Sequence, residues 1–215
     1  MLSERGRWLP FALLAGGALL MGALFLHLGS EIAEGETRRF DVFVLDAGRA
    51  LRVAHPWIAD VMRDLSGLGS SVTLALVTLA ACGYLAVTRS WATAAIVAAA
   101  AVSGAVAVAL FKAGFARARP DSQLAQIVVD GASYPSGHSS MSAVVYLTLG
   151  ALIARMRERR VEKVYILGAA GMLALLVGVS RAAMGVHWAT DVAGGWALGI
   201  AWAAACIFAV RWADR

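Results

Sequence analysis

The chain has 215 residues, of which 60% are hydrophobic and only 15% are charged, and its mean hydropathy is +0.72. This composition disfavours a soluble domain and indicates an integral membrane protein. The net charge of +5 would suit nucleic acid, but no basic face with interleaved aromatic residues is present, so no nucleic-acid partner is expected.

Apolar runs of about 20 residues, the length that crosses the hydrocarbon core of a bilayer, recur along the chain. The first is too long for a signal-peptide core, which favours a retained helix over a cleaved leader. The runs predict an all-α bundle of six transmembrane helices in a single membrane-embedded domain, 1–215. Their approximate limits are 8–28, 72–87, 92–111, 139–154, 164–179 and 189–210.

Two short amphipathic segments lie between the first two spans, over about 38–65. Phe40 and Leu51 share one helical face of the first segment, whereas Asp41 and Arg52 take the other. Both segments are predicted to be helices lying in the plane of the membrane interface. Packing against a neighbouring helix is the alternative.

Orientation follows from the basic loop 155–163, because lysine and arginine close to helix ends favour the cytoplasm. With this loop inside, both termini are cytoplasmic. Four basic residues then lie outside, against the charge rule, which suggests that they are kept for chemistry: Lys112, Arg117, Arg119 and Arg181.

The stretch 180–191 concentrates costly ionisable residues next to hydrocarbon. One helix is predicted to end near Arg181 and another to begin near His187, with a turn at Gly185. On a helix, Asp191 would lie one turn from His187 on the same face. By the parity of six spans, Lys112, His138, Arg181 and His187 must all lie at the same membrane face.

These residue types suit phosphoryl transfer. Lys112, Arg119 and Arg181 supply cationic donors for a phosphoryl group, whose charge spreads over three oxygens in the transition state. Ser136 and Gly137 precede a predicted helix, where free N–H groups attract an anion. His187, oriented by Asp191, is a candidate nucleophile or base, and His138 is a candidate general acid.

Other constellations are weaker. His138, His187 and Asp191 could form a metal site with two histidines and one carboxylate, but three nearby cations would repel a divalent ion. A serine hydrolase using Ser136 or Ser180 lacks the usual Gly-x-Ser-x-Gly turn. Arg117 is either a solvated loop charge or a further substrate contact.

Three blocks in order carry a resemblance to a known family. They are Lys112-x6-Arg119-Pro120, Pro135-Ser136-Gly137-His138 and Ser180-Arg181-x5-His187-x3-Asp191. With these blocks the chain resembles the type 2 phosphatidic acid phosphatase family, membrane relatives of the vanadium haloperoxidases.

The resemblance implies that Lys112, Arg119, Arg181, Ser136 and Gly137 bind phosphate. It also implies that His187 forms a phosphohistidine, that Asp191 holds its imidazole and that His138 protonates the leaving oxygen. No metal or other cofactor is expected.

The leading hypothesis is a bacterial inner-membrane phosphatase that acts at the outer face on a lipid-phosphate substrate. Four lipid phosphates fit this hypothesis: undecaprenyl diphosphate, phosphatidate, phosphatidylglycerol phosphate and lipid A phosphate. A polyprenyl diphosphate is slightly preferred, because of the family resemblance and not because of any residue. A phosphate-binding membrane protein without turnover, such as a transporter, is the alternative.

Overall fold

Helices form every element in the described part of the computed structural model, residues 4–121 and 130–213. The helices are α1 Glu4–Glu34, α2 Arg38–Ala54, α3 Trp57–Gly67, α4 Ser71–Val87, α5 Trp91–Phe115, α6 Gly137–Ser142, α7 Thr148–Arg155, α8 Arg160–Ala183 and α9 Ala189–Ala213. A π-helical segment, Ala143–Leu147, joins α6 to α7. The predicted domain 1–215 also includes residues 1–3, 122–129 and 214–215, which lie outside the described residues.

Six helical stretches in the described chain are long and apolar enough to cross a membrane. They are Phe11–Glu34, Trp57–Val87, Trp91–Phe115, Gly137–Arg155, Arg160–Ala183 and Ala189–Ala213. Large apolar side chains such as Leu19, Val87 and Tyr165 are more than two-thirds exposed, as expected for surfaces that face lipid. The prediction of an all-α bundle with six spans is confirmed.

α1 and α5 run further than predicted because Gly29 and Lys112 do not end them. α1 continues through Gly29, where a Cβ atom would lie 2.5 Å from Cζ of Phe115, so this glycine allows close packing. α1 ends before Gly35, which adopts a left-handed φ of +84°. α5 continues past Lys112 to Phe115, and Ala116 then takes a left-handed φ of 46°.

The helix α9 packs against α1, α5, α6 and α8 and lies at the centre of the bundle. Small residues let its backbone approach α6 closely: a Cβ atom at Gly199 would lie 2.4 Å from the carbonyl oxygen of Ser140. At Gly195 it would lie 2.8 Å from the carbonyl oxygen of Ser136. This contact holds the first turn of α6 beside the first turn of α9.

The two short helices α2 and α3 pack against α8, and α2 also contacts α9. Asp41 and Arg52 of α2 are buried, whereas Phe40 and Phe43 are exposed. The polar side of α2 therefore faces the protein and its apolar side faces outward. Packing against neighbouring helices is thus observed. Placement of α2 in the membrane interface stays a prediction, whereas α3 belongs to the stretch Trp57–Val87, which is long and apolar enough to cross a membrane.

Candidate active site

The turn between α8 and α9 carries His187. α8 ends at Ala183, Gly185 adopts a left-handed φ of 74°, and α9 begins at Ala189. α9 thus begins near His187, as predicted, and His187 itself lies in the turn two residues before it. Asp191 lies in the first turn of α9 and accepts a 2.9 Å hydrogen bond from the backbone N–H of Trp188. This is the reciprocal bond of a capping box.

The imidazole of His187 contacts different partners through its two nitrogens. Its Nδ1 lies 3.4 Å from Oδ2 of Asp191 and 3.3 Å from Oγ of Ser133. Its Nε2 lies 3.1 Å from Nη1 of Arg119. A guanidinium group can only donate, so Nε2 accepts and Nδ1 carries the ring proton. The lone pair of a potential nucleophile therefore points at the guanidinium group of Arg119.

The protonation of His187 is controlled by its surroundings. The side chain is only 3% exposed. Burial lowers the pKa of His187 to about 4, although its hydrogen bond to Asp191 and the charge of that carboxylate oppose the shift. His187 is therefore neutral at pH 7, the form that a nucleophile requires.

The three predicted phosphate-binding cations are held by neutral oxygens. Lys112 donates to the carbonyl of Ala132 over 2.5 Å. Arg119 donates to the carbonyl of Val186 over 2.8 Å, and Arg181 donates to Oγ of Ser66 over 2.7 Å.

None of these cations has a carboxylate within salt-bridge distance among the described residues. Positive charge beside hydrocarbon and without a counter-charge is costly, so the site is electrostatically suited to an anion.

One donor in this cluster has no partner in the part of the chain that the structure describes. The Nε atom of Arg181 is buried and makes no hydrogen bond to the described residues. Such a buried donor costs about 1–3 kcal/mol unless a ligand satisfies it. An oxygen of a phosphoryl group would do so.

The first turn of α6 corrects part of the anion-binding prediction. The backbone N–H of Ser136 donates to the carbonyl of Asp191 over 3.0 Å and is not free. The Ser136 side chain is fully buried and caps α6, accepting from the N–H of Ser139 over 3.5 Å. The N–H groups of Gly137 and His138 have no acceptor among the described contacts and remain as donors.

His138 joins this site and a large cavity. It lies within electrostatic range of Lys112, Arg119, Arg181 and His187, so the residues placed at one face by parity are close together. The cavity has a volume of about 590 Å³ and lies between α4, α5 and α6. Its lining is Gly69, Ser71, Leu74, Ala75, Thr78, Leu79, Cys82, Ala98, Ala101, Val102, Ala105, Val108, Gly137, His138, Met141 and Val145.

Several polar residues of the site were not predicted. Ser133 is fully buried and donates from Oγ to Oδ2 of Asp191. Arg117, whose role was left open, donates to Oδ1 of Asp191 over 2.5 Å and to Oδ2 of Asp41 over 2.6 Å. No spacing rule connects Asp41 to residues that follow it by 76 and 149 positions.

The alternative constellations gain no geometric support. In residues 4–121 and 130–213, no three His, Cys, Asp or Glu side chains are grouped so that they could hold a metal ion. The hydroxyl of Ser180 donates to the carbonyl of Val177, and neither Ser136 nor Ser180 contacts a histidine among the described hydrogen bonds. Metal independence stays a prediction.

Comparison with known proteins gives concordant results. The model of the PAP2 superfamily matches residues 91–215. Phosphatidylglycerophosphatase B of Bacillus subtilis (strain 168) is 32% identical over 191 residues, which cover 82% of this chain and 86% of the relative.

Two solved structures have the same fold. The crystal structure of a transmembrane PAP2 type phosphatidylglycerolphosphate phosphatase from Bacillus subtilis matches with a TM-score of 0.79 and 28% identity, over 92% of this chain and 95% of the other. The structure of Aquifex aeolicus LpxE matches with a TM-score of 0.55 and 22% identity, over 76% and 93%. At that identity the second match shows the fold alone.

The chain belongs to the PAP2 superfamily, and the predicted membership is confirmed. It is a multi-pass membrane phosphatase that acts on lipid phosphates. This membership decides for an enzyme over the non-catalytic alternative.

Proposed function

We propose that the enzyme hydrolyses a lipid phosphate head group through a phosphohistidine on His187. The observation that carries the proposal is the lone pair of Nε2 facing Arg119. Arg119 clusters with Lys112 and Arg181, and none of the three has a carboxylate within salt-bridge distance among the described residues. Lys112, Arg119 and Arg181 would hold the phosphoryl oxygens, and the N–H group of Gly137 would add a neutral donor.

The reaction has two steps. The bond from Nε2 of His187 to phosphorus forms as the bond from phosphorus to the lipid oxygen breaks, and His138 gives its proton to that oxygen. A water molecule then loses a proton to His138 and attacks phosphorus, so that the bond to His187 breaks and inorganic phosphate leaves. Asp191 keeps the proton on Nδ1 in both steps, which leaves Nε2 as the reacting atom.

The cavity beside His138 supports a substrate with a hydrocarbon tail. Its walls are almost entirely apolar, apart from Ser71 and Thr78 of α4 and His138 itself. The lining positions of α4 extend from Ser71 to Cys82, about 16 Å at the rise of an α-helix. A tail could lie along this wall while the head group reaches His187.

The relatives favour one substrate class among those compatible with the site. The two matches from Bacillus subtilis carry names that refer to phosphatidylglycerol phosphate hydrolysis. We therefore place phosphatidylglycerol phosphate first and polyprenyl diphosphate, phosphatidate and lipid A phosphate after it, which reverses the preference drawn from family habit. The reaction is proposed to take place at the outer face of a bacterial inner membrane, without a metal.

Phosphate release from a panel of these lipids, measured with the protein reconstituted in vesicles, tests the proposal. His187→Ala should lose activity by about 10³-fold or more, as expected when a nucleophile is removed. His55→Ala, at an exposed histidine, is the matched control and should retain wild-type activity. Activity should persist in EDTA. Full activity of His187→Ala, or no turnover of any lipid by the wild type, would sink the proposal.

A further inference from the structure

The helix α2 carries a buried carboxylate that the reaction scheme above does not use. Asp41 is 1% exposed, although its neighbours Phe40 and Phe43 are 56% and 70% exposed. Burying a carboxylate is costly unless it is paired and hydrogen-bonded. The position of Asp41 therefore requires partners across the protein.

Asp41 finds these partners at the first turn of α9. Its Oδ1 accepts from the backbone N–H of Thr190 over 2.9 Å, and its Oδ2 accepts from Oγ1 of Thr190 over 2.7 Å. Oδ2 also accepts from Nη2 of Arg117 over 2.6 Å. The residue next to Asp191 and the arginine that binds Asp191 are thus both held by α2.

Arg117 connects two carboxylates. Its Nη1 donates to Oδ1 of Asp191 over 2.5 Å, while its Nη2 donates to Asp41. The guanidinium lies 5.6 Å from the ring centre of Trp188, and the carbonyl of Arg117 accepts from the N–H of Ser133 over 2.8 Å. Since Ser133 and the N–H of Trp188 occupy Oδ2 of Asp191, Arg117 fixes the remaining oxygen.

We infer that Asp41 and Arg117 are positioning residues of the hydrolysis, which hold Asp191 in the orientation that keeps the ring proton of His187 on Nδ1. The inference rests on the proposed role of His187 as nucleophile. It makes α2, whose apolar side faces away from the protein, part of the support of the active site. Neither side chain touches the substrate in this scheme.

The charges that face His187 set the sign of the test. Asp191 of α9 faces Nδ1, while Arg119 of the loop and Lys112 of α5 face the other side. His138 of α6 also interacts with the ring, and Ser66 of α3 contributes only a neutral hydroxyl that is bound to Arg181. Removing the charge of Arg117 leaves Asp191 uncompensated, which favours the protonated imidazole.

The experiment measures kcat, KM and the acid limb of kcat/KM in Arg117→Met, Asp41→Asn and the double variant. Arg117→Met should lower kcat about 10- to 100-fold, as for other outer partners of catalytic groups, with little change in KM. Its acid limb should move to higher pH, whereas Asp41→Asn, which removes a negative charge, should lower kcat without raising that limb. The double variant should lose less than the two single losses combined, because the residues act on Asp191 together.

Arg63→Met and Asp60→Asn repeat the same substitutions in an exposed ion pair of α3 and should behave as the wild type. Arg117→Lys keeps the positive charge but lacks the two N–H donors with which the guanidinium group binds both carboxylates. It should therefore keep the acid limb at its wild-type pH while kcat stays reduced, and it provides a test if Arg117→Met does not fold.

Wild-type kcat in both Arg117→Met and Asp41→Asn, or losses that multiply and leave the acid limb in place, would overturn the inference. His187→Ala distinguishes this failure from that of the proposed function. If His187→Ala were active, His187 would not be the nucleophile, whatever the other variants do.

Discussion

Single residues in this site are controlled by groups within one hydrogen bond of them. His187 has its proton placed on Nδ1 because Arg119, a donor only, lies at Nε2. Asp191 is held by Arg117 on one oxygen and by Ser133 and the N–H of Trp188 on the other. The proposed nucleophile is therefore held in its orientation before any substrate arrives.

Burial of His187 makes a prediction about pH. Because its pKa is lowered to about 4, the imidazole is neutral above that pH and becomes protonated below it. The acid limb of kcat/KM, which reports the free enzyme, should therefore lie near pH 4 and not near the value of about 6.5 of an ordinary histidine. NMR titration of the His187 ring in the substrate-free protein between pH 3 and pH 8 checks this ionisation apart from that of a phosphate ester, whose second pKa is about 6. A midpoint near 6.5 would contradict the prediction.

The sequence could identify the residues with strong chemical signatures. Lys112, His138, Arg181 and His187 follow from the cost of charge beside hydrocarbon and from the parity of the spans, which needs no coordinates. Asp41 could not be found in this way, since its polar partners are distant along the chain and the amphipathic pattern of α2 does not tell which side faces the protein. Ser133 carries no signal beyond being one serine among many.

At the scale of helices, close backbone contacts position the chemistry. α9 meets α6 through Gly195 and Gly199, so that the N–H of Ser136 reaches the carbonyl of Asp191. The sequence indicated the spans from hydropathy but not these contacts. The predicted end of the first span at about residue 28 was also too early. Gly29 lies inside α1, where it allows close packing against Phe115, and α1 ends just before Gly35.

The α6–α9 contact predicts a specific sensitivity to size. Gly199→Ala would place a methyl group 2.4 Å from the carbonyl oxygen of Ser140, and backbone on both sides cannot move aside cheaply. We expect a loss of about 1–3 kcal/mol of stability and a lower melting temperature in detergent. Gly171→Ala, in α8 with nothing within 4 Å, is the control and should melt at or above the wild-type temperature. Equal melting temperatures in the two variants would refute the packing account.

At the scale of the whole molecule, the site and the basic loop lie at opposite ends of α8. Arg181 is in the last turn of this helix and Arg160 begins it, a separation of about 32 Å at the rise of an α-helix. Since lysine and arginine favour the cytoplasm, the loop 155–163 should be inside and the site outside.

Orientation can be measured in intact cells. We expect Glu158→Cys, in the basic loop, to resist a membrane-impermeant thiol reagent until the cells are permeabilised, and Asp121→Cys, in the loop beside the site, to react at once. Cys82→Ser and Cys206→Ser provide a background without native thiols. The reverse labelling pattern would show that the site faces the cytoplasm.

The most direct test of the account is to look for phosphate on His187. A phosphate ester with a good leaving group needs no general acid in the first step, so with such an ester His138→Ala should slow chiefly the second step. A brief incubation followed by alkaline quenching should then yield a peptide whose mass is raised by one phosphoryl group. The account predicts that fragmentation places this group on His187 and that His187→Ala abolishes it. A phosphorylated residue other than His187 would contradict the role assigned to His187. So would substrate turnover with no phosphoenzyme in the wild type and in His138→Ala.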